Sequence, residues 1–99
     1  MEIKIQSIHF DATEKLQAFI EKKVAKLEKS LDDIQKVEVQ LKVEKPATAQ
    51  NKEVSLSVTA PGTNLFVEKV SDTFEEAIDL SVDSMRVKLQ KYKEKSRNY

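Results

Sequence analysis

Apolar and polar residues recur along this chain at two different periods, and the places where the period changes divide it into six elements. Residues 3 to 8 alternate loosely, with Ile3, Ile5 and Ile8 apolar and Lys4 and Gln6 polar, which predicts a short strand ending in a bulge or turn. From Thr13 the step lengthens to three and four residues, placing Leu16, Phe19, Ile20, Val24, Leu27 and Leu31 on one face of a helix with a lysine-rich opposite face. Its first turn has two candidate caps, the Thr13 hydroxyl or Asp11 in a capping box with Glu14, and Asp32 and Asp33 open the turn beyond Leu31. Residues 36 to 45 alternate without a fault: Val37, Val39, Leu41 and Val43 on one side, Glu38, Gln40, Lys42 and Glu44 on the other. Pro46 to Asn51 reads as a loop, after which Val54, Leu56 and Val58 alternate with Glu53, Ser55, Ser57 and Thr59 to complete a hairpin. Pro61-Gly62 marks a turn, and Leu65, Phe66, Val67 and Val70 supply a third, shorter strand. A long helix follows, capped by Thr73 or Asp72 and striped by Phe74, Ile78, Val82, Met85, Leu89 and Tyr92.

The element order is therefore β-α-β-β-β-α, and every strand has a polar side. A sheet with one wet face buries only the other, so both helices are expected on a single side of it. The predicted fold is α+β: a two-layer sandwich of a four-stranded sheet with two helices on one face, its first β-α-β crossover right-handed if those strands pair in parallel. Residues 1–99 form one domain on this reading, since 99 residues are near the size a single core supports. The absence of cysteine removes disulfides and thiolate metal sites and points to a reducing, cytoplasmic compartment. The N-terminus lacks a basic region followed by an apolar run, and no stretch approaches the ~18 apolar residues of a membrane span, so a soluble chain without a membrane partner is expected.

Charge changes this picture more than composition does. Lysine plus arginine equals aspartate plus glutamate at 17 each, yet the last helix reverses sign along its length. Residues 71–83 hold Asp72, Glu75, Glu76, Asp79 and Asp83 with no base; residues 84–99 hold Arg86, Lys88, Lys91, Lys93, Lys95 and Arg97 against Glu94 alone. Acids in a first turn and bases in a last one complement the helix dipole, but the basic excess is larger than the dipole needs. Screening confines each charge to roughly 10 Å, so local density decides whether a polyanion is attracted. With both helices on one face, Lys22, Lys23, Lys26 and Lys29 are expected beside Arg86, Lys88, Lys91, Lys93 and Lys95, as a patch that neither helix carries alone.

Catalytic chemistry is thin. His9, the only histidine, sits at a strand end where it is expected to pack or cap rather than act as a base. Gly62 is the sole glycine, so no phosphate-cradling glycine loop exists. Asp79 and Asp83 stand one turn apart, but without histidine or alternating oxygen ligands nearby they read as a solvated face, and neither metal nor cofactor is expected. Tyr92 and Tyr99 could stack on bases; Tyr92 falls on the apolar stripe, so its ring is expected to cover the core edge with its hydroxyl in water, and Tyr99 is expected to be a mobile end.

Several of these stretches resemble one family. Ile8-His9-Phe10-Asp11-Ala12-Thr13-Glu14, then Phe19 to Glu28, then Leu41-Lys42-Val43-Glu44-Lys45, are similar to the ribosome hibernation promoting factors, also called ribosome-associated translation inhibitors. Ala77-Ile78-Asp79 followed by Leu89-Gln90-Lys91-Tyr92-Lys93-Glu94-Lys95 is similar to the family's closing helix, and the likeness covers nearly the whole chain, which looks like a short-form member. The resemblance implies the β-α-β-β-β-α fold, no enzymatic activity and no small-molecule substrate. It also implies binding to the small ribosomal subunit and its 16S ribosomal RNA, in the channel of messenger and transfer RNA, so that idle ribosomes stop translating. Lys23, Lys26, Lys91, Lys93 and Lys95 match the family's basic positions and would meet phosphates, while Ser84 and Val87 stand where it often has bases. Lysine clusters bind a phosphate backbone without reading bases, so the charge pattern leads to the same residues. A chain monomeric when free is expected. Two other readings of the basic face are a general double-stranded RNA-binding module, which would begin α-β-β-β-α without the first strand, and a protein-interaction module with an acidic partner.

Overall fold

The structure, a computed structural model, describes residues 1–43 and 51–97, with side chains up to Lys95. The strand end expected at Glu44 and Lys45, the loop over 46–50, the Arg97 side chain and Tyr99 lie outside the described residues.

Four strands form one sheet in the order of the sequence: β1 (Glu2–Ile8), β2 (Lys36–Val43), β3 (Lys52–Ala60) and β4 (Thr63–Ser71). β1 and β2 pair in parallel, Glu2 opposite Lys36 and Ile8 opposite Lys42, as a crossover through a helix requires. β2–β3 and β3–β4 are antiparallel hairpins. Helices α1 (Glu14–Ala25) and α2 (Phe74–Arg97) pack against each other and share the core with one face of the sheet, which is the two-layer α+β arrangement expected from the polar strand faces.

The strand alternation translates directly into burial. Val37, Val39 and Leu41 of β2 and Val54, Leu56 and Val58 of β3 face the helices and are buried, while Glu38, Gln40, Ser55 and Ser57 face outward. Ile20, Val24 and Leu27 approach from the first helix, and Phe74, Ile78, Val82, Met85 and Leu89 from the second. Phe10 stacks on Phe74 with ring centroids 5.1 Å apart and planes 7° from parallel, joining the chain after β1 to the start of α2. Both helix starts are capped by threonine: the Thr13 Oγ1 accepts from the Leu16 N–H and the Thr73 Oγ1 from the Glu76 N–H, each at 3.1 Å, so Asp11 and Asp72 are not the caps.

Three boundaries differ from expectation. The first helix, expected to run regularly to Leu31, is α-helical only to Ala25 and then tightens into a 3₁₀ turn over Lys26–Lys29, which keeps Leu27 fully buried and bonds the Ser30 N–H to the Leu27 carbonyl at 3.0 Å. β4 is nine residues long rather than short, because the two-residue Pro61-Gly62 turn lets pairing begin at once with Ala60 opposite Thr63. Proline fixes φ near −65° and Gly62 takes φ 77°, the signs of a type II turn. Third, His9 does not pack into the core: it is exposed with φ 65°, in the left-handed region that turns the chain out of β1. A β-branched residue there is strained, so His9→Val should lower stability by about 1–2 kcal/mol and His9→Gly should not, as read by urea unfolding.

Candidate nucleic-acid interface

Helix geometry decides where the basic side chains of α2 go. At 3.6 residues per turn, positions seven apart stay on one flank, and the buried stripe Phe74, Ile78, Val82, Met85 and Leu89 sets the inward direction. Asp79, Arg86 and Lys93 fall on one side of that stripe, Lys88 and Lys95 on the other.

The Asp79 side faces the first helix. Lys23 Nζ lies 3.1 Å from Asp79 Oδ1 and 5.5 Å from the centre of the Phe19 ring, so this lysine is tied to a carboxylate and an aromatic face. A partly exposed pair of this kind contributes only ~0–1 kcal/mol to stability. A shallow groove continues along the same side, between Ser30 at the end of the 3₁₀ turn and Asp83, Arg86, Val87, Gln90, Lys91 and Glu94. Lys22, Lys26 and Lys29 are exposed. The single lysine patch anticipated between the helices is therefore interspersed with carboxylates, Asp79 and Asp83 among them. Asp79 is an ion-pair partner rather than a merely solvated acid.

The opposite side lies over β4 and is more uniformly cationic. Lys88, Lys91, Tyr92 and Lys95 line a second groove with Thr63 and Leu65, and among the described residues no acid lines it. Two hydrogen bonds hold its walls together. Lys88 Nζ donates to the Phe66 carbonyl at 2.6 Å, covering part of the free edge of β4, and the Tyr92 hydroxyl donates to the Pro61 carbonyl at 2.8 Å. The Tyr92 hydroxyl, expected in water, instead pins the β3–β4 turn against the last turns of α2. Lys88 consequently sits apart from Lys22, Lys23, Lys26 and Lys29, while Lys91 reaches both grooves. The outermost line of α2 carries Leu80 and Val87, which are 42% and 55% exposed, so Val87 is a surface residue. Among the described residues no group of histidine, aspartate or glutamate could hold a metal ion, and no helix is long and apolar enough to cross a membrane.

Lysine clusters of this kind suit a phosphate backbone, which they neutralise without reading bases. Residues 3–97 match the family model described as Sigma 54 modulation protein / S30EA ribosomal protein. The chain belongs to this family. Among its relatives are the ribosome hibernation promoting factors of Pseudomonas putida, 31% identical over 98 residues covering 99% of this chain and 92% of that one, and of Azotobacter vinelandii, 33% identical over 95 residues covering 96% and 85%. The family fold recurs in a ribosomal subunit interface protein from Coxiella burnetii, with a TM-score of 0.85, 25% identity and coverage of 94% of this chain and 98% of that one. It recurs too in the N-terminal domain of Thermus thermophilus Protein Y, with a TM-score of 0.80, 25% identity and coverage of 93% and 99%. The chain is thus a member of the ribosome hibernation promoting factor family over nearly its full length.

Two features of the interface were not anticipated from the residues alone. Thr63 and the turn before it border the basic groove, and the sequence signal was present: Pro61-Gly62 fixes a tight hairpin whose tip must meet whatever covers β4. The Lys88 bond to a main-chain carbonyl had no signal, because it depends on how far α2 overhangs the sheet edge.

Proposed function

We propose that this family member is a ribosome hibernation factor that binds the small ribosomal subunit in the channel of messenger and transfer RNA and inhibits translation in idle cells. Family membership supports the ribosome as partner, and the observation that carries the choice of surface is the groove of Lys88, Lys91 and Lys95, where cations stand without a lining acid among the described residues. Lys22, Lys26, Lys29, Arg86 and Lys93 form a second basic flank on the side of α2 that faces the first helix, with Lys23 held back by Asp79, and Arg97 adds a base near the end of the sequence. The contacts are to 16S ribosomal RNA phosphates, which lysines neutralise by counterion release and do not read by sequence. The factor works without catalysis, in the cytoplasm, and is monomeric when free. The first strand, paired in parallel with β2, argues against a general double-stranded RNA module, whose order begins with a helix.

Cosedimentation with purified small subunits over a series of salt concentrations tests this reading. With about five phosphates neutralised, log affinity should fall against log salt with a slope of about −3 to −5. Binding that is indifferent to salt would remove the basic surface from the account.

A further inference from the structure

The sheet face turned away from the helices carries an aromatic residue that the core does not use. Phe66 is 51% exposed and stands outward on β4 between Asn64 and Glu68. Directly opposite it on β3 is Ser57, and beyond Ser57 on β2 is Glu38; in the next row Glu68 faces Ser55, and Ser55 faces Gln40. Two small serines between taller neighbours leave a trough, lined by Glu38, Gln40, Ser55, Ser57 and Phe66. Strands are ~4.8 Å apart, so its walls on β2 and β4 are separated by about 10 Å.

The hydrogen bonds on this face give the trough a polarity. Ser55 Oγ donates to Glu68 Oε2 at 3.5 Å, Ser57 Oγ donates to Asn64 Oδ1 at 3.2 Å, and Gln40 Nε2 donates to Gln6 Oε1 at 3.5 Å. The Asn64 amide is held in turn by donating to Thr59 Oγ1 at 2.9 Å. Each hydroxyl proton is thus already committed to a neighbour within the sheet, so what the serines offer to an incoming group is oxygen lone pairs. The Gln40 carbonyl oxygen and the carboxylates of Glu38 and Glu68 add further acceptors. Lys36 lies 3.1 Å from Glu38 on the same strand, and Lys4 is opposite Glu38 on β1, so Glu38 is partly balanced. The outward residues of β3 and β4 include Glu53 and Glu68 and no base.

A complementary ligand is a cation that only donates and has a flat apolar face for a phenyl ring. Guanidinium has five N–H donors in one plane, no acceptor, and a plane that stacks on aromatic rings; ammonium has the charge but not the plane. Phosphate is excluded by charge, and nucleobases, which are neutral and carry acceptors beside their donors, match an acceptor-rich anionic lining less well than guanidinium does. We propose that this trough binds an arginine side chain of an extended basic protein segment, its guanidinium stacked on Phe66 and donating to Glu68, Ser55 and Ser57. The site lies on the opposite side of the sheet from the lysine surface and does not depend on the RNA reading.

The test is residue-resolved NMR on the isolated chain, titrated with a blocked peptide of alternating arginine and glycine, the same peptide with lysine for arginine, and a single-stranded RNA oligonucleotide. The arginine peptide should shift the Phe66 ring and the Ser55 and Ser57 amides in a saturating way, with the lysine peptide about 3-fold weaker or more. Phe66→Leu, which keeps apolar area but removes the ring, and Glu68→Gln should each weaken arginine-peptide binding about 3-fold, and together about 10-fold, with an unchanged thermal midpoint as the check on folding. The proposal is overturned if the arginine peptide leaves those signals in place, if the double variant binds as the parent does, or if the lysine peptide binds equally well. Shifts of the Phe66 ring by the oligonucleotide instead would replace the protein partner with RNA.

Discussion

Replacing Leu89 by alanine should cost roughly 2–5 kcal/mol, a large part of the 5–15 kcal/mol typical of a small domain. Leu89 has no exposed surface and belongs to the cluster in which α2 meets the sheet and the first helix. Truncation removes the transfer free energy of the lost methyl groups and leaves a cavity, because the strand residues of the same core cluster are held by the ladder and relax into it only partly. For a chain of this size each kcal/mol moves the thermal midpoint by about 4–8 °C, so a drop on the order of 10 °C or more is expected. Leu41→Ala on the central strand should behave similarly, for Leu41 is equally buried. Leu80→Ala is the matched control, on the same helix but 42% exposed, and should shift the midpoint far less. A lower midpoint for the Leu80 variant than for the Leu89 variant would mean that the faces of α2 are reversed.

The second large effect concerns binding. Converting Lys91, Lys93 and Lys95 together to alanine should weaken attachment to small ribosomal subunits by about 10²- to 10³-fold. A charge-assisted contact contributes roughly 1.5 kcal/mol, and every 1.4 kcal/mol is tenfold. The salt slope should flatten by about one for each contacting lysine removed. Reversal to glutamate should be worse, since repulsion is added to the lost attraction. Lys91 and Lys95 are exposed and Lys93 half-exposed, so the fold should tolerate the changes at less than ~0.5 kcal/mol each. Parent-like affinity in the triple variant, measured at the same salt, would contradict the assignment.

Most of the fold could be read from residue spacing, and the reason is geometric. A period of two or of 3.6 is a direct record of which side of an element meets the core, so β2, β3 and the stripe of α2 were legible position by position. In β4 the consecutive apolar residues Leu65, Phe66 and Val67 carry no alternation, so that Phe66 and Val70 stand outside could not be read from their spacing. What could not be read was whatever depends on two elements at once. The 3₁₀ tightening after Ala25, the Lys23–Asp79 pair, the Lys88 bond to β4 and the Tyr92 clamp on the turn all require the distance between packed elements, which no local pattern encodes. For the interface, charge counting found the basic residues but placed them on one surface. Their seven-residue spacing along α2 divides them between two sides of the helix, and Asp79 and Asp83 interrupt the side facing the first helix.

Occupancy of the decoding channel is the central claim, and competition on the small subunit measures it most directly. Subunits loaded beforehand with messenger and initiator transfer RNA should exclude this protein, and subunits saturated with this protein should refuse both RNAs, with equal coupling in the two directions as linkage requires. Simultaneous binding of the protein and both RNAs to one subunit, each with undiminished affinity, would contradict the account.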